Sequence, residues 1–222
     1  MNIKGAIFDM DGTLINSLMY WDNLYKRIGV KYFNNESFYP SPEIDKTIRP
    51  MIYADAMSHL REYYAIPAEP DEFLSFCENG ISEFYRNVAT LKDGAKELLE
   101  SLKKKNIKLC LASATALNEV KAAIEYHGIA DYFDLVVSCA DIGIGKERPD
   151  IFFNASSAMK LLPNEVCVFE DSFIALETAK RAGFMTVGIY DRYNTDQERV
   201  RASSDIYVSE GQTLDTLIPL IS

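Results

Sequence analysis

Asp9 and Asp11 stand two apart in Phe8-Asp9-Met10-Asp11-Gly12-Thr13-Leu14, and Gly12 permits a tight turn just past them. One carboxylate of such a pair can attack phosphorus while the other handles the leaving-group proton. That is the division of labour needed for covalent catalysis with acid/base assistance. Further groups complete a set. Ser113 closes Leu109-Cys110-Leu111-Ala112, Lys146 follows the glycine-bearing Gly143-Ile144-Gly145, and Glu170-Asp171 close the run that ends at Phe169. Brought together, these carboxylates repel one another unless a cation sits among them. A hard ion that accepts oxygen ligands and keeps some of its waters suits the set, so Mg²⁺ is the expected cofactor. Lys146 and Ser113, with the backbone N–H groups that follow Ser113, can hold the non-bridging oxygens of a phosphate as charge builds on them.

Residues so far apart in the chain meet only if the fold delivers them to one edge. Short runs rich in β-branched or apolar residues recur at 3–8, 107–112, 135–138, 166–169, 186–190 and 206–208. Near-continuous apolar runs of this kind suit strands buried on both faces. Helical patterns lie between them. Ala95, Leu98, Leu99 and Leu102 fall at i, i+3, i+4 and i+7, with Asp93 placed as N-cap. Leu117, Val120, Ile124 and His127 repeat the pattern before Gly128 stops the helix. The alternation predicts an α/β fold: a doubly wound, Rossmann-like parallel sheet with right-handed crossovers. In such sheets ligands bind at the carboxyl ends of the strands, where this reading puts Asp9, Ser113, Lys146 and Glu170.

Residues 17–90 break the alternation and contain no convincing strand. Trp21, Leu24, Tyr25 and Ile28 form one helical stripe, and Tyr53, Ala56, Met57, Leu60, Tyr63 and Tyr64 a second. Phe73, Phe76, Cys77, Gly80, Ile81, Phe84 and Val88 form a third, and Pro40, Pro42, Pro50, Pro67 and Pro70 punctuate them. The aromatic stripes read as the core of an all-helical insert rather than as a ligand box. The expected division is an α/β core of residues 1–15 and 91–222 with a helical cap at 16–90.

The four strand-end groups, in this order and at these intervals, resemble the motifs of the haloacid dehalogenase-like superfamily, in its subgroup with a helical cap inserted after the first motif. Asp9-Met10-Asp11-Gly12-Thr13 matches the signature DxDGT, and Ser113 the second motif. Gly145-Lys146-Glu147-Arg148-Pro149-Asp150 is similar to the third, a lysine shortly before a proline, and Glu170-Asp171 to the acidic fourth. The resemblance implies that Asp9 is a nucleophile forming an aspartyl-phosphate and Asp11 the general acid/base. It implies that Thr13, Ser113 and the backbone at Ala114 bind phosphate, and that Lys146 pairs with it and with the nucleophile. It also implies Mg²⁺ held by Asp9, the backbone carbonyl of Asp11, Asp171 and Glu170, the last directly or through water. The position after Ser113, often Asn or Ser in the family, is Ala114 here, which removes one side-chain contact to phosphate. Ala175 stands where the helix after the fourth motif usually has glycine. Dehalogenating members lack a carboxylate at the place of Asp11, and phosphonate-cleaving members usually have a small residue there. A phosphatase acting on a small phosphorylated metabolite is therefore expected.

A sugar-phosphate mutase of the β-phosphoglucomutase kind is the nearest alternative. It needs cap cations to grip a second phosphate. Arg49 and Lys46 lie near the relevant loop, but Thr47-Ile48 replace the glycine-bearing turn common there, and Arg49 reads equally well as an ordinary surface cation. Tyr20, Trp21 and Arg49 are the candidate substrate contacts from the cap. A regulatory phosphoacceptor module gathers similar groups, but it has no use for an insert of this size and carries its lysine last, whereas Glu170-Asp171 follow Lys146 here.

Across 222 residues, 48% are hydrophobic and 25% charged, an ordinary globular composition. The net charge of −10 disfavours nucleic acid and anionic membrane as partners. Cys77, Cys110, Cys139 and Cys167 form no CxxC or Cys/His cluster and read as free thiols, two of them inside strand-like runs. Met1-Asn2-Ile3-Lys4 leads straight into a strand-like run without a small-residue cleavage site, which predicts a cytoplasmic protein. A cap that opens and closes over a site favours a monomer.

Overall fold

The computed structural model describes residues 2–49, 51–194 and 196–221, the side chain of Ser82 apart; Pro50, one of the insert's prolines, lies outside them. In chain order the strands are β1 (Gly5–Phe8), β2 (Ile15–Asn16), β3 (Thr90–Leu91), β4 (Lys108–Ser113), β5 (Leu135–Ser138), β6 (Val166–Glu170), β7 (Met185–Ile189) and β8 (Ile206–Val208). Six of them form one parallel sheet in the order β5-β4-β1-β6-β7-β8. The chain runs from β1 outward through β4 to β5, then returns to the other side of β1 to lay down β6, β7 and β8. The direction of winding thus reverses around β1, and a ligand crevice opens at such a point at the carboxyl ends of the strands.

Both faces of the sheet are covered, which is why its strands read as apolar runs without alternation. Phe8, Leu109, Leu111 and Phe169 pack to one side with Leu98, Leu102, Val120 and Ile124. These helical residues belong to α5 (Ala95–Lys104) and α6 (Leu117–Tyr126). Ile7, Cys110 and Val168 pack to the other side with Ile151, Phe152, Ala155, Ala175 and Ala179. Those helical residues come from α8 (Asp150–Ala158) and α9 (Phe173–Arg181). A short α7 (Cys139–Ile142) follows β5, and α10 (Gln197–Ser203) connects β7 to β8. The rings of Phe8 and Phe169 stack with centroids 4.2 Å apart, locking β1 to β6 just below the strand ends. All four cysteines are buried and free.

Between β2 and β3 lie α1 (Tyr20–Ile28), α2 (Pro42–Ile48), α3 (Tyr53–Tyr63) and α4 (Pro70–Asn87). Their helical stripes are buried: Leu24, Tyr25, Ile28, Ile44, Ile48, Met57, Leu60, Phe73, Cys77 and Phe84 belong to the same apolar cluster as Phe8, Leu98 and Phe169 of the sheet and its helices. Tyr63 and Val88, counted in the stripes by spacing, are exposed at the C-terminal ends of α3 and α4. The segment is not wholly helical at its edges. Thr90 pairs with Asn16 and Leu91 with Ile15 in an antiparallel ribbon, and Asn16 Nδ2 donates to Thr90 Oγ1 at 3.2 Å. The chain thus enters and leaves the insert side by side. The N-cap of α5 is Gly94, with φ of +79°, rather than Asp93. The Asp93 carbonyl instead accepts the Leu214 amide at 2.8 Å, tying the chain's last segment to the core. Among the described residues no helix is long and apolar enough to cross a membrane.

Candidate active site

The first residue beyond β1 is pinned by its backbone, since the Asp9 amide donates to the Phe169 carbonyl at 2.9 Å. The Met10 carbonyl then accepts the amides of Leu14 and Ile15 at 3.0 and 2.9 Å, closing a turn that holds Asp9, Asp11 and Thr13 over the strand ends. Gly12 makes the turn possible. Its φ is +80°, and a Cβ there would lie 2.6 Å from Asp171 Oδ2, so only glycine lets the β1 and β6 loops approach this closely.

Asp9, Glu170 and Asp171 are all buried, and one carboxylate oxygen from each lies within 4.8 Å of the others. Lys146, in the loop before α8, reaches into the cluster with Nζ 2.5 Å from Asp9 Oδ1 and 2.6 Å from Glu170 Oε1. The Glu147 carbonyl accepts the Thr178 hydroxyl at 3.3 Å, which ties that loop to α9. Glu170 uses its other oxygen to accept the Ser172 amide at 3.1 Å. Thr13 Oγ1 donates to Asp171 Oδ1 at 3.4 Å, and Asn194 Nδ2 to the Asp171 carbonyl at 2.6 Å.

One lysine does not balance this charge. Burial pushes the Asp9 carboxyl up to about 8, with Glu170 and Asp11 adding to the rise and Lys146 opposing it. Asp171 is raised well above the carboxylate range by burial, then by Glu170, Asp9 and Asp191. Burial pulls Lys146 down, but Asp9 and Glu170 outweigh it and hold the amine above the usual lysine range. Oxygen donors buried at this spacing, destabilised by their own repulsion, fit a hard divalent cation.

Asp11 turns away from this cluster and is held by hydroxyls. Its Oδ1 accepts Tyr85 at 2.5 Å and Ser17 at 2.7 Å, and its Oδ2 accepts Thr115 at 2.9 Å and Ser113 at 3.3 Å. Burial first, and then the Asp11 charge, raise the Tyr85 phenol well above its ordinary range, so it stays protonated and donates. Ser113 also accepts the Thr115 amide at 3.0 Å, while Ala114 is exposed and offers only its backbone. Asp9, Asp11, Thr13, Ser113, Lys146, Glu170 and Asp171 therefore meet at one strand edge. Ser17, Tyr85 and Thr115 join them without having been singled out from the sequence. Thr115 follows Ser113 at the same strand end and so carried a readable signal. Tyr85 carried none, being one aromatic residue among several on α4.

The contacts of the cap candidates are to other residues of the insert. Tyr20 is buried in the insert, its hydroxyl paired with Tyr53 at 2.7 Å and with the Cys77 carbonyl at 3.0 Å. Trp21 is half-buried between Tyr25 and Tyr53, with centroids 5.8 and 6.3 Å away. Arg49 Nε donates to Asp45 Oδ2 at 2.8 Å and Nη2 to the Tyr39 hydroxyl at 3.1 Å, and its guanidinium lies 5.6 Å from the Trp21 ring centre.

A family model for haloacid dehalogenase-like hydrolases matches residues 3–183. The validoxylamine A 7'-phosphate phosphatase of Streptomyces hygroscopicus subsp. limoneus is 28% identical over 87% of this chain and 88% of its own. The phosphorylated carbohydrates phosphatase of Thermotoga maritima is 25% identical over 97% and 98%. The β-phosphoglucomutase of Bacillus subtilis is 26% identical over 84% and 83%. Among solved structures, CbbY of Rhodobacter sphaeroides in complex with phosphate superposes with a TM-score of 0.78 at 20% identity, covering 97% of this chain and 96% of that one.

Proposed function

The chain belongs to the haloacid dehalogenase-like hydrolases, and we propose that it is a Mg²⁺-dependent phosphatase that hydrolyses a small phosphate monoester, a sugar phosphate or similar metabolite, through an aspartyl-phosphate on Asp9. The observation that carries this reading is the pair of carboxylates on one loop in two different settings. Asp9 is buried against an amine and two further carboxylates, and Asp11 is ringed by hydroxyls. Environments that differ so much suit two different roles.

In the first step an Asp9 oxygen attacks phosphorus, the bond to the leaving oxygen breaks, and the Asp11 proton passes to that oxygen. In the second, water attacks the phosphorus of the aspartyl-phosphate while Asp11 takes a proton from it, and inorganic phosphate and the free Asp9 carboxylate are released. Lys146 holds Asp9 in line and lies where it can also meet a non-bridging phosphate oxygen. Ser113, Thr13 and the amides following Ser113 bind the remaining oxygens, and Glu170 orients Lys146. Asp9, Asp171, the Asp11 carbonyl and Glu170, directly or through water, would hold Mg²⁺, which when bound offsets the carboxylate charge and polarises the phosphoryl group.

Relatives named as phosphatases of phosphorylated carbohydrates and of validoxylamine A 7'-phosphate support the substrate class. Resemblance to a β-phosphoglucomutase keeps a mutase in view. Arg49 argues for hydrolysis, because Asp45 and Tyr39 already engage the cation that a mutase would need for a second phosphate. The test is turnover of 4-nitrophenyl phosphate with Mg²⁺, abolished by EDTA and by Asp9→Asn. A panel of sugar phosphates that includes β-glucose 1-phosphate with its bisphosphate should release inorganic phosphate. Robust turnover by the Asp9→Asn protein refutes the nucleophile, and isomerisation without phosphate release replaces the phosphatase by a mutase.

A further inference from the structure

The Asp11 carboxylate is held unequally. Two donors lie at 2.5 and 2.7 Å from Oδ1, but Oδ2 has donors at 2.9 and 3.3 Å. Shorter bonds to an ionised acceptor are the stronger ones. The donors also differ in origin. Those on Oδ2, Ser113 and Thr115, stand at the end of β4, where a phosphate would draw on the same hydroxyls. Those on Oδ1, Ser17 and Tyr85, come from the start and the end of the insert rather than from a strand end. A phosphate arriving at the strand ends therefore competes for Ser113 and Thr115 and leaves Ser17 and Tyr85 in place.

We propose that Tyr85, together with Ser17, is a positioning residue that anchors Oδ1 of Asp11, so that Oδ2 is the oxygen that exchanges the proton with the leaving group. The assignment rests on the acid/base reading of Asp11. Tyr85 is 7% exposed and packs edge-on against Phe84 with ring centres 6.0 Å apart. A phenylalanine would fill the same space, and a buried hydroxyl is costly unless it is bonded. Its partner is the acid/base itself, and the bond spans from α4 of the insert to the loop after β1. The orientation of Asp11 thus depends on how the insert is seated on the core.

The test compares Tyr85→Phe with Asp11→Asn on two substrates: 4-nitrophenyl phosphate, whose leaving group departs without a proton, and glycerol phosphate, whose alkoxide needs one. For Tyr85→Phe, kcat/KM, which reports the transfer to Asp9 and not the later hydrolysis common to both substrates, should fall roughly tenfold on glycerol phosphate and less than about threefold on 4-nitrophenyl phosphate. Ser17→Ala, which removes the other donor to the same oxygen, should show the same split and carries the test if melting curves show the Tyr85 variant to be unfolded. Equal losses on both substrates for Tyr85→Phe and Ser17→Ala, beside a leaving-group-dependent loss for Asp11→Asn, overturn the anchoring role alone. Equal losses for Asp11→Asn overturn the acid/base role and the anchoring role with it.

Discussion

Replacing Lys146 by methionine removes one charge and keeps most of the side-chain volume. The Lys146 side chain is 11% exposed, and its Nζ bridges Asp9 at 2.5 Å and Glu170 at 2.6 Å. Deleting one partner of a buried ion pair costs about 3–5 kcal/mol, because the Glu170 charge that Lys146 met is left with neither water nor a counter-ion. At about 2–4 °C per kcal/mol for a chain of this length, the metal-free protein should melt roughly 6–20 °C lower. The pH dependence has a definite sign. Asp9 already titrates near 8 beside the lysine, which holds it down, so losing the lysine moves it higher. Below about 8 the carboxyl carries its proton in both proteins and the deficit stays level. As pH passes 8 the parent releases that proton beside Lys146 and the variant cannot, so the deficit widens. Calorimetry in EDTA at pH 6 and pH 9 checks this, and turnover in Mg²⁺ should fall on the order of 10²–10³-fold. A melting point within about 2 °C of the parent, or a deficit smaller at pH 9 than at pH 6, refutes the charge argument.

For the parent protein in EDTA, thermal stability should decline as pH rises. A carboxyl lifted from 3.8 to about 8 by folding contributes fully below the lower value and loses that contribution through the upper one. Saturating Mg²⁺ should flatten the decline, and melting curves at intervals from pH 5 to pH 8 with and without the ion measure it. Gly12→Ala should strain the turn by about 1–2 kcal/mol and push the Asp171 carboxylate aside, since the new methyl would sit 2.6 Å from its oxygen. The Mg²⁺ concentration for half-maximal activity should rise roughly tenfold or more, as titration of turnover with the metal would record.

The sheet was legible because its strands are covered on both faces. Ile7 and Phe8 point to opposite helical layers, as do Val168 and Phe169, so each strand appears as an unbroken apolar run bounded by polar turns. The helices of the insert were legible through their buried stripes for the same reason. The short elements were not. Ile15–Asn16 and Thr90–Leu91 make a ribbon only because two distant segments meet, and two residues carry no period of their own. The cap of α5 depended on a backbone angle: Gly94 at φ +79° starts the helix, and the side chain of Asp93 gave no guide to it.

The site divides along the same line. Asp9, Ser113, Glu170 and Asp171 could be read from the sequence because a parallel sheet sends every strand end to one edge, and Lys146 reaches that edge from the loop beyond the short α7. Tyr85 could not. It lies 74 positions from Asp11 on a helix whose place beside the strand ends is set by long-range packing within one shared apolar cluster. The stripe of α4 says which side of the helix is buried, but not which buried residue ends beside a carboxylate. On the proposed mechanism the reacting groups come from the strand ends, whereas the Tyr85 hydroxyl that meets Asp11 comes from α4. Trp21 and Arg49, the candidate substrate contacts, stand in the same inserted segment as Tyr85. A substitution within the insert that reseats α4 should therefore change turnover as well as selectivity, even where it touches neither substrate nor metal.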